Sequence, residues 1–225
     1  MTKYNVIFDM DGVIFDTERA LYDCWMEKGK EHGLDLDLVS KTYIKSIGTN
    51  NNQTTEIYES AFVPVLGHEG SKVLWDEVRD FHADRYKDGL FPVKPGVKEI
   101  LDYLHDNSVK VGIASSSRKA TVERQIGVAN LSQYFDGIVG GDDVKISKPN
   151  PEIYLIACRE FGFDPKDTFA IEDSFNGIRA AKAAGMRPIM VPDMVPADDE
   201  MRELSEFICA DLKEVVEYFR SLDWD

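Results

Sequence analysis

Positive charge is what this chain has least of: 26 lysines and arginines stand against 41 aspartates and glutamates, a net charge of -15. A surface of that sign repels both the nucleic-acid backbone and anionic membrane, so neither is expected as a nonspecific partner. Any phosphorylated ligand needs a pocket that is locally cationic. Cysteine is nearly as scarce. Cys24, Cys158 and Cys209 are odd in number, far apart and set among apolar residues, which suits buried reduced thiols in a cytoplasmic setting better than disulfides or zinc. His32, His68, His82 and His105 are scattered without metal-ligand spacing. No basic patch followed by an apolar core of signal-peptide length opens the chain, and no run is long enough to span a bilayer. A dinucleotide reader is disfavoured, because no GxGxxG follows the first apolar run.

What the chain does have is core: 43% of its 225 residues are hydrophobic, enough for one larger domain or a core domain with a smaller companion. After residue 90, short apolar runs alternate with amphipathic segments. VKVGIA at 109–114, Gly137–Gly140, Thr168–Ile171 and Pro188–Val191 read as strands. Between and around them, helical spacing runs through Val97–Leu104, Lys119–Ile126, 151–161, 175–184 and 212–222, the last with Asp211 as N-cap. The expected fold class is α/β, a Rossmann-like parallel sheet with helices on both faces. Residues 17–90 break that rhythm. They read as several helices interrupted at Gly33, Gly48, Gly67 and Gly70, hence an inserted all-α bundle, with residues 1–16 and 91–225 forming the α/β core.

Ligands of open parallel sheets bind at the carboxyl ends of the strands, so the residues after each strand are the ones to inspect. Val6-Ile7-Phe8 ends in Asp9 and Asp11, with Gly12 behind them. Two neighbouring anions at the end of a buried segment require a cation, a shared proton or both. One carboxylate can attack phosphorus while the other donates and later accepts a proton, and their proximity raises the pKa of one member, helping the acid hold its proton. A calcium loop fails on position, since Ile14 and Ala20 fall where its glycine and bidentate glutamate belong. VKVGIA runs into Ser115-Ser116-Ser117, whose hydroxyls and backbone N–H groups suit an anion; alone, such a run is more often simple N-capping. KISKPNPEIY places Lys148 before Pro149, where it can neutralise a phosphate, although an isolated loop lysine is more often just solvated. FAIEDSFNGI delivers Glu172 and Asp173 after a strand, a donor set for a hard divalent cation such as Mg2+, or a charged helix start. Nucleophile, acid, anion site, lysine and metal ligand make a phosphoryl-transfer set that chance explains poorly.

The ordered motifs DMDGV, IASSS, KP and EDSFNGI resemble the haloacid dehalogenase-like superfamily, in particular its subgroup with a helical cap after the first motif. The resemblance spans essentially the whole chain. It implies Asp9 as nucleophile, Asp11 as general acid/base, and Ser115 and Lys148 as phosphate ligands with Ser116 and Gly12 beside them. It also implies Mg2+ held by Asp9, Asp173 and Asp11, the last through its backbone carbonyl, with Glu172 in the inner or outer shell. Members that cleave carbon–halogen bonds lack the second aspartate, so Asp11 favours phosphate chemistry. The nearest resemblances are to beta-phosphoglucomutases and to phosphatases of the phosphoglycolate type. The mutases are implied to carry an arginine where this chain has Asn51 and a histidine where it has Leu21. A neutral amide cannot replace the charge-assisted bonds of a guanidinium to a second phosphate.

The expected function is therefore Mg2+-dependent hydrolysis of a small phosphorylated metabolite, with Asn50, Asn51 and Asn52 as specificity contacts in the cap and hinges near Asp16–Thr17 and Pro92–Lys94. A sugar phosphomutase and a non-enzymatic regulatory protein on the same fold remain as alternatives. Neither nucleic acid nor membrane is expected as a partner. The sequence leaves the oligomeric state open and is compatible with a monomer.

Overall fold

Val6, Ile7 and Phe8 are all fully buried or nearly so, the signature of a strand covered on both faces. In the computed structural model, which describes residues 4–47, 49 and 51–222, they form β1 (Asn5–Phe8). Five further parallel strands join it, β2 (Val111–Ala114), β3 (Gly137–Val139), β4 (Thr168–Glu172), β5 (Arg187–Met190) and β6 (Phe207–Ile208), in the order β3-β2-β1-β4-β5-β6. Phe8 stands in register with Ile113 on one side and Ile171 on the other, so the chain leaves β1, β2 and β4 at one level of the sheet.

Alternation along the strands divides the core into two layers. Val6 and Phe8 pack with α4 (Val97–Asp106), α5 (Lys119–Val128) and α9 (Leu212–Arg220), whereas Ile7 packs with α6 (Glu152–Phe161) and α7 (Phe175–Ala183). Ala180 and Ala181 let α7 lie close to the sheet, and Asp211 caps α9 by accepting from the backbone N–H groups of Lys213 and Glu214. Two elements escaped the sequence reading, α8 (Asp199–Leu204) and β6. They are six and two residues long, too short for any periodicity to show. β2 also starts later than expected, because the Val109 N–H turns back to Leu104 O at 2.9 Å.

The chain divides into two compact units, Met1–Asp16 with Gly89–Asp225, and Thr17–Asp88. The second contains α1 (Thr17–Glu31), α2 (Leu36–Ser46) and α3 (Asn51–Arg85) around Trp25, which stacks on Tyr58 and Phe62 with centroids 4.4 and 5.7 Å away. Gly67, at φ +72, breaks α3 shortly after Pro64, which has no N–H to give; Gly70 lies inside continuous helix, and Gly48 lies outside the described residues. In the first unit the two strands of chain that leave and re-enter it run side by side. Phe15 bridges Val93, and the Asp16 N–H donates to Pro92 O at 2.8 Å.

Candidate active site

The chain turns sharply out of β1. The Asp9 N–H still bonds Ile171 O at 2.9 Å, and the loop then closes on itself through Ile14 N to Met10 O and Gly12 N to Phe15 O. Gly12 sits at φ +80, and a Cβ there would come within 2.1 Å of Asp173 Oδ2. Only glycine lets this loop and the end of β4 approach so closely.

One cation organises the carboxylates. Lys148, nearly buried, donates to Asp9 Oδ1 at 2.5 Å, to Glu172 Oε1 at 2.7 Å and to Ala114 O at 3.2 Å, which uses all three ammonium protons. Asp9, Glu172 and Asp173 each offer an oxygen within 4.8 Å of the others. Asp11 is held apart from them by a hydrogen bond from Ser117 Oγ at 2.8 Å, with Ser115 Oγ at the outer limit of bonding, 3.5 Å. Ser115 is fully buried and also accepts from Ser117 N at 3.0 Å, whereas Ser116 is exposed. The hydroxyl that reaches the acid is thus that of Ser117. Asn50 lies outside the described residues, as does the side chain of Asn51; Asn52 is exposed in the first turn of α3.

Three participants were missed. Tyr154 is completely buried on α6, donates to Glu172 Oε1 at 2.5 Å and lies under the Lys148 ammonium, 5.0 Å from ring centroid to Nζ. Its signal was a lone hydroxyl on the otherwise apolar face of Ile153, Ala157 and Cys158. Ser117 stood in the serine run without a role of its own. Asp193 follows β5, so the strand-end rule that found the other acids points to it too; Lys94 donates to its Oδ1 at 2.5 Å, and its Oδ2 is buried without a hydrogen-bond partner.

The electrostatics follow from this crowding. Burial, with the charges of Glu172 and Asp11 adding to it and Lys148 opposing, pushes the Asp9 carboxyl up to about 7. The raised carboxyl is that of the residue assigned to attack, and burial more than the neighbouring anions is the cause. Asp173 is raised well above the usual carboxylate range by burial and by the charges of Glu172, Asp9 and Asp193. Burial pulls Lys148 down, but Asp9 and Glu172 outweigh it and hold the ammonium well above its ordinary value.

A single lysine facing this many carboxylates leaves a surplus of negative charge, and the donors are all hard oxygens. Those residues fit a divalent cation. Glu172 is already committed, accepting from Lys148, Tyr154 and, at 3.1 Å, Ser174 Oγ, and Gly177 has no room for a Cβ, which would lie 1.9 Å from the Glu172 carboxyl carbon. Asp9 and Asp173 are the better direct ligands.

The family model described as haloacid dehalogenase-like hydrolase matches residues 6–191, spanning every strand-end group named above except Asp193. The chain belongs to that family. Among relatives of this haloacid dehalogenase-like hydrolase is YhcW of Bacillus subtilis, named as a candidate phosphatase, 37% identical over 193 residues and covering 84% of each chain. A phosphorylated carbohydrates phosphatase of Thermotoga maritima is 30% identical over 190 residues and covers 82% of each chain. A Thermotoga maritima crystal structure that carries the name beta-phosphoglucomutase superposes with a TM-score of 0.77 at 25% identity, covering 98% of this chain and 100% of its own. Among the described residues, no helix is long and apolar enough to cross a membrane.

Proposed function

We propose that this chain, a phosphatase of the haloacid dehalogenase-like family, hydrolyses a small phosphorylated metabolite, a sugar phosphate or similar monoester, through an aspartyl phosphate on Asp9 and with Mg2+ as cofactor. The names of the relatives support the reaction class and the carbohydrate ester. The observation that carries the mechanism is the buried Lys148 ammonium joined to Asp9 at 2.5 Å and Glu172 at 2.7 Å, beside an Asp11 separately held by Ser117.

In the first step an Asp9 oxygen bonds to phosphorus, the bond from phosphorus to the alcohol oxygen breaks, and Asp11 gives that oxygen its proton. Water then attacks phosphorus and passes a proton back to Asp11; the bond to Asp9 breaks and inorganic phosphate leaves. Lys148 neutralises charge on Asp9 and on the phosphoryl oxygens, Ser115 and the turn after β2 hold those oxygens, and Tyr154 and Glu172 keep Lys148 in place. Asp9 and Asp173, with the backbone carbonyl of Asp11, would hold a hard divalent cation, which would supply the screening that an anionic ester needs beside an anionic nucleophile. The helical unit serves as the cap, within the expected limits of residues 17–90, and Asn50, Asn51 and Asn52 remain proposed specificity contacts there. The buried thiols of Cys24, Cys158 and Cys209, none in a disulfide, suit a reducing cytoplasm.

A sugar phosphomutase is the second reading, favoured by the name of the structural neighbour and disfavoured by Asn51 in place of an arginine. Phosphate release from phosphorylated sugars, polyols and short acids, with and without Mg2+, decides between them. Metal-dependent release is expected, cut at least about a thousandfold by Asp9→Asn. Activity kept by that variant refutes the covalent route. Conversion of a sugar 1-phosphate to the 6-phosphate, primed by a hexose bisphosphate, identifies the mutase instead.

A further inference from the structure

Asp193 stands past the end of β5 as Asp173 stands past the end of β4. The two strands pair in parallel with Glu172 opposite Met190, and the Val191 N–H donates to Glu172 O at 2.7 Å, so Asp173 and the chain leading to Asp193 leave neighbouring strands side by side. After burial and the charges of Glu172 and Asp9, the charge of Asp193 is a further cause that raises Asp173. Only half of the Asp193 carboxylate is used. Lys94 donates to Oδ1 at 2.5 Å in a largely buried pair, the two side chains 16% and 11% exposed, while Oδ2 is shut off from solvent and has no hydrogen-bond partner among the described residues. A buried carboxylate oxygen without a donor costs free energy, so a fold that keeps one calls for a reason.

Two reasons compete. The first is mechanical, a clip that fastens residues 92–94 to the chain after β5. Both segments are already anchored through their backbones. The Lys94 N–H donates to Ile14 O at 2.9 Å, the Asp16 N–H to Pro92 O at 2.8 Å, and Phe15 bridges Val93; on the other side Val191 is tied to Glu172, and the Cys209 N–H donates to Met190 O at 2.9 Å. A clip also gives no use to the second carboxylate oxygen. The second reason is electrostatic. Asp9, Glu172 and Asp173 each offer an oxygen within 4.8 Å of the others, and Asp193 is not one of that set, so it stands outside the direct ligands of an ion held there. Mg2+ keeps several of its waters when it binds, and carboxylates beyond the ligands accept from such waters and tune the affinity of the site. A buried acceptor with no donor of its own, beside Asp173, suits that place.

We propose that Asp193 is a positioning residue of the cation site: its Oδ2 accepts from a water carried by the divalent ion at Asp9 and Asp173, while Lys94 offsets the charge of the same carboxylate when no ion is bound. The proposal rests on the reading of that site as one for Mg2+.

The test titrates Mg2+ alone into the metal-free full chain and its variants, by calorimetry and by thermal melts at a series of Mg2+ concentrations. Asp193→Asn keeps the shape of the side chain and removes its charge, and it is expected to raise the Kd for Mg2+ about tenfold. Lys94→Met breaks the same contact but removes a positive charge, so it is expected to bind Mg2+ at least as tightly as the wild type while melting lower without it. A clip cannot produce that difference, because either variant opens it. Unchanged Mg2+ binding in Asp193→Asn overturns the proposal, as does an equal weakening in both variants. Should Lys94→Met fail to fold, Lys94→Gln carries the same comparison. Asp173→Asn separates this proposal from the reading beneath it: Mg2+ uptake that is abolished there and untouched in Asp193→Asn sinks the role of Asp193 and leaves the cation site standing, whereas a wild type that takes up no Mg2+ removes both.

Discussion

In the α/β unit the side chains of Asp9 and Glu172 are charged, buried and tied to one lysine; in the helical unit Ser46, Thr49, Thr54 and Tyr58 are hydroxyls chained to one another beside aromatic rings. The first arrangement is expensive to build. Asp9 and Glu172 can be buried as they are because Lys148, Tyr154 and Ser174 reach them, and the charge left over is what a divalent cation and a phosphate would meet. The second costs little, since neutral hydroxyls satisfy one another locally. Charge is thus crowded in the first unit and thin in the second.

Lys148→Met strikes that contrast hardest. Removing the counter-charge from buried carboxylates is expected to lower metal-free stability by about 3–5 kcal/mol in urea unfolding at pH 7; a loss below about 1 kcal/mol would mean that the acids are not held by the lysine.

Next in size is the pH dependence of Asp9. Its carboxyl titrates near 7 in the fold against an ordinary 3.8, so the folded chain keeps a proton that the unfolded chain releases above about pH 4. The stability from that proton is complete below the ordinary value and is lost as pH rises to about 7. Asp9→Asn cannot ionise, and it is expected to gain on the wild type across that window in EDTA, by on the order of a few kcal/mol at its upper end, with Mg2+ narrowing the gap. Thermal melts at several pH values check this, and a gap independent of pH would contradict the raised carboxyl.

Tyr154→Phe removes one donor to a buried carboxylate and is expected to cost about 2 kcal/mol in the same unfolding assay. Since Lys148 shares Glu172 Oε1 with that hydroxyl, kcat is expected to fall more than KM changes. The smallest effect belongs to the helical unit. Arg79→Ala loses exposed pairs to Asp76 and Asp80 and is expected to change stability by less than about 1 kcal/mol.

The two units also differed in how much of them could be read from the chain. Asp9, Asp11, Ser115, Glu172 and Asp173 stand at or near the ends of apolar runs, and a parallel sheet sends such positions to one edge whatever lies between them, whereas Lys148 lies well beyond the end of β3 and was legible only from its KP motif. Tyr154 hid because its spacing is that of a core residue, and only packing of α6 on the sheet shows that its hydroxyl meets Glu172. In the helical unit a cavity is assembled from α1, α2 and α3, and no local pattern says which of their residues face one another.

By itself the sequence determined five of the six strands and which reactive groups follow them, because hydrophobic periodicity and strand-end position are local properties. Only the tertiary structure decided which proton goes to which oxygen: that Ser117 rather than Ser116 meets Asp11, that Lys148 spends its three protons on Asp9, Glu172 and Ala114, and that the hydroxyls of Ser46 and Thr49 give theirs to backbone carbonyls. A hydrogen bond depends on distances of a few tenths of an ångström between residues far apart in the chain, and those distances are set by packing.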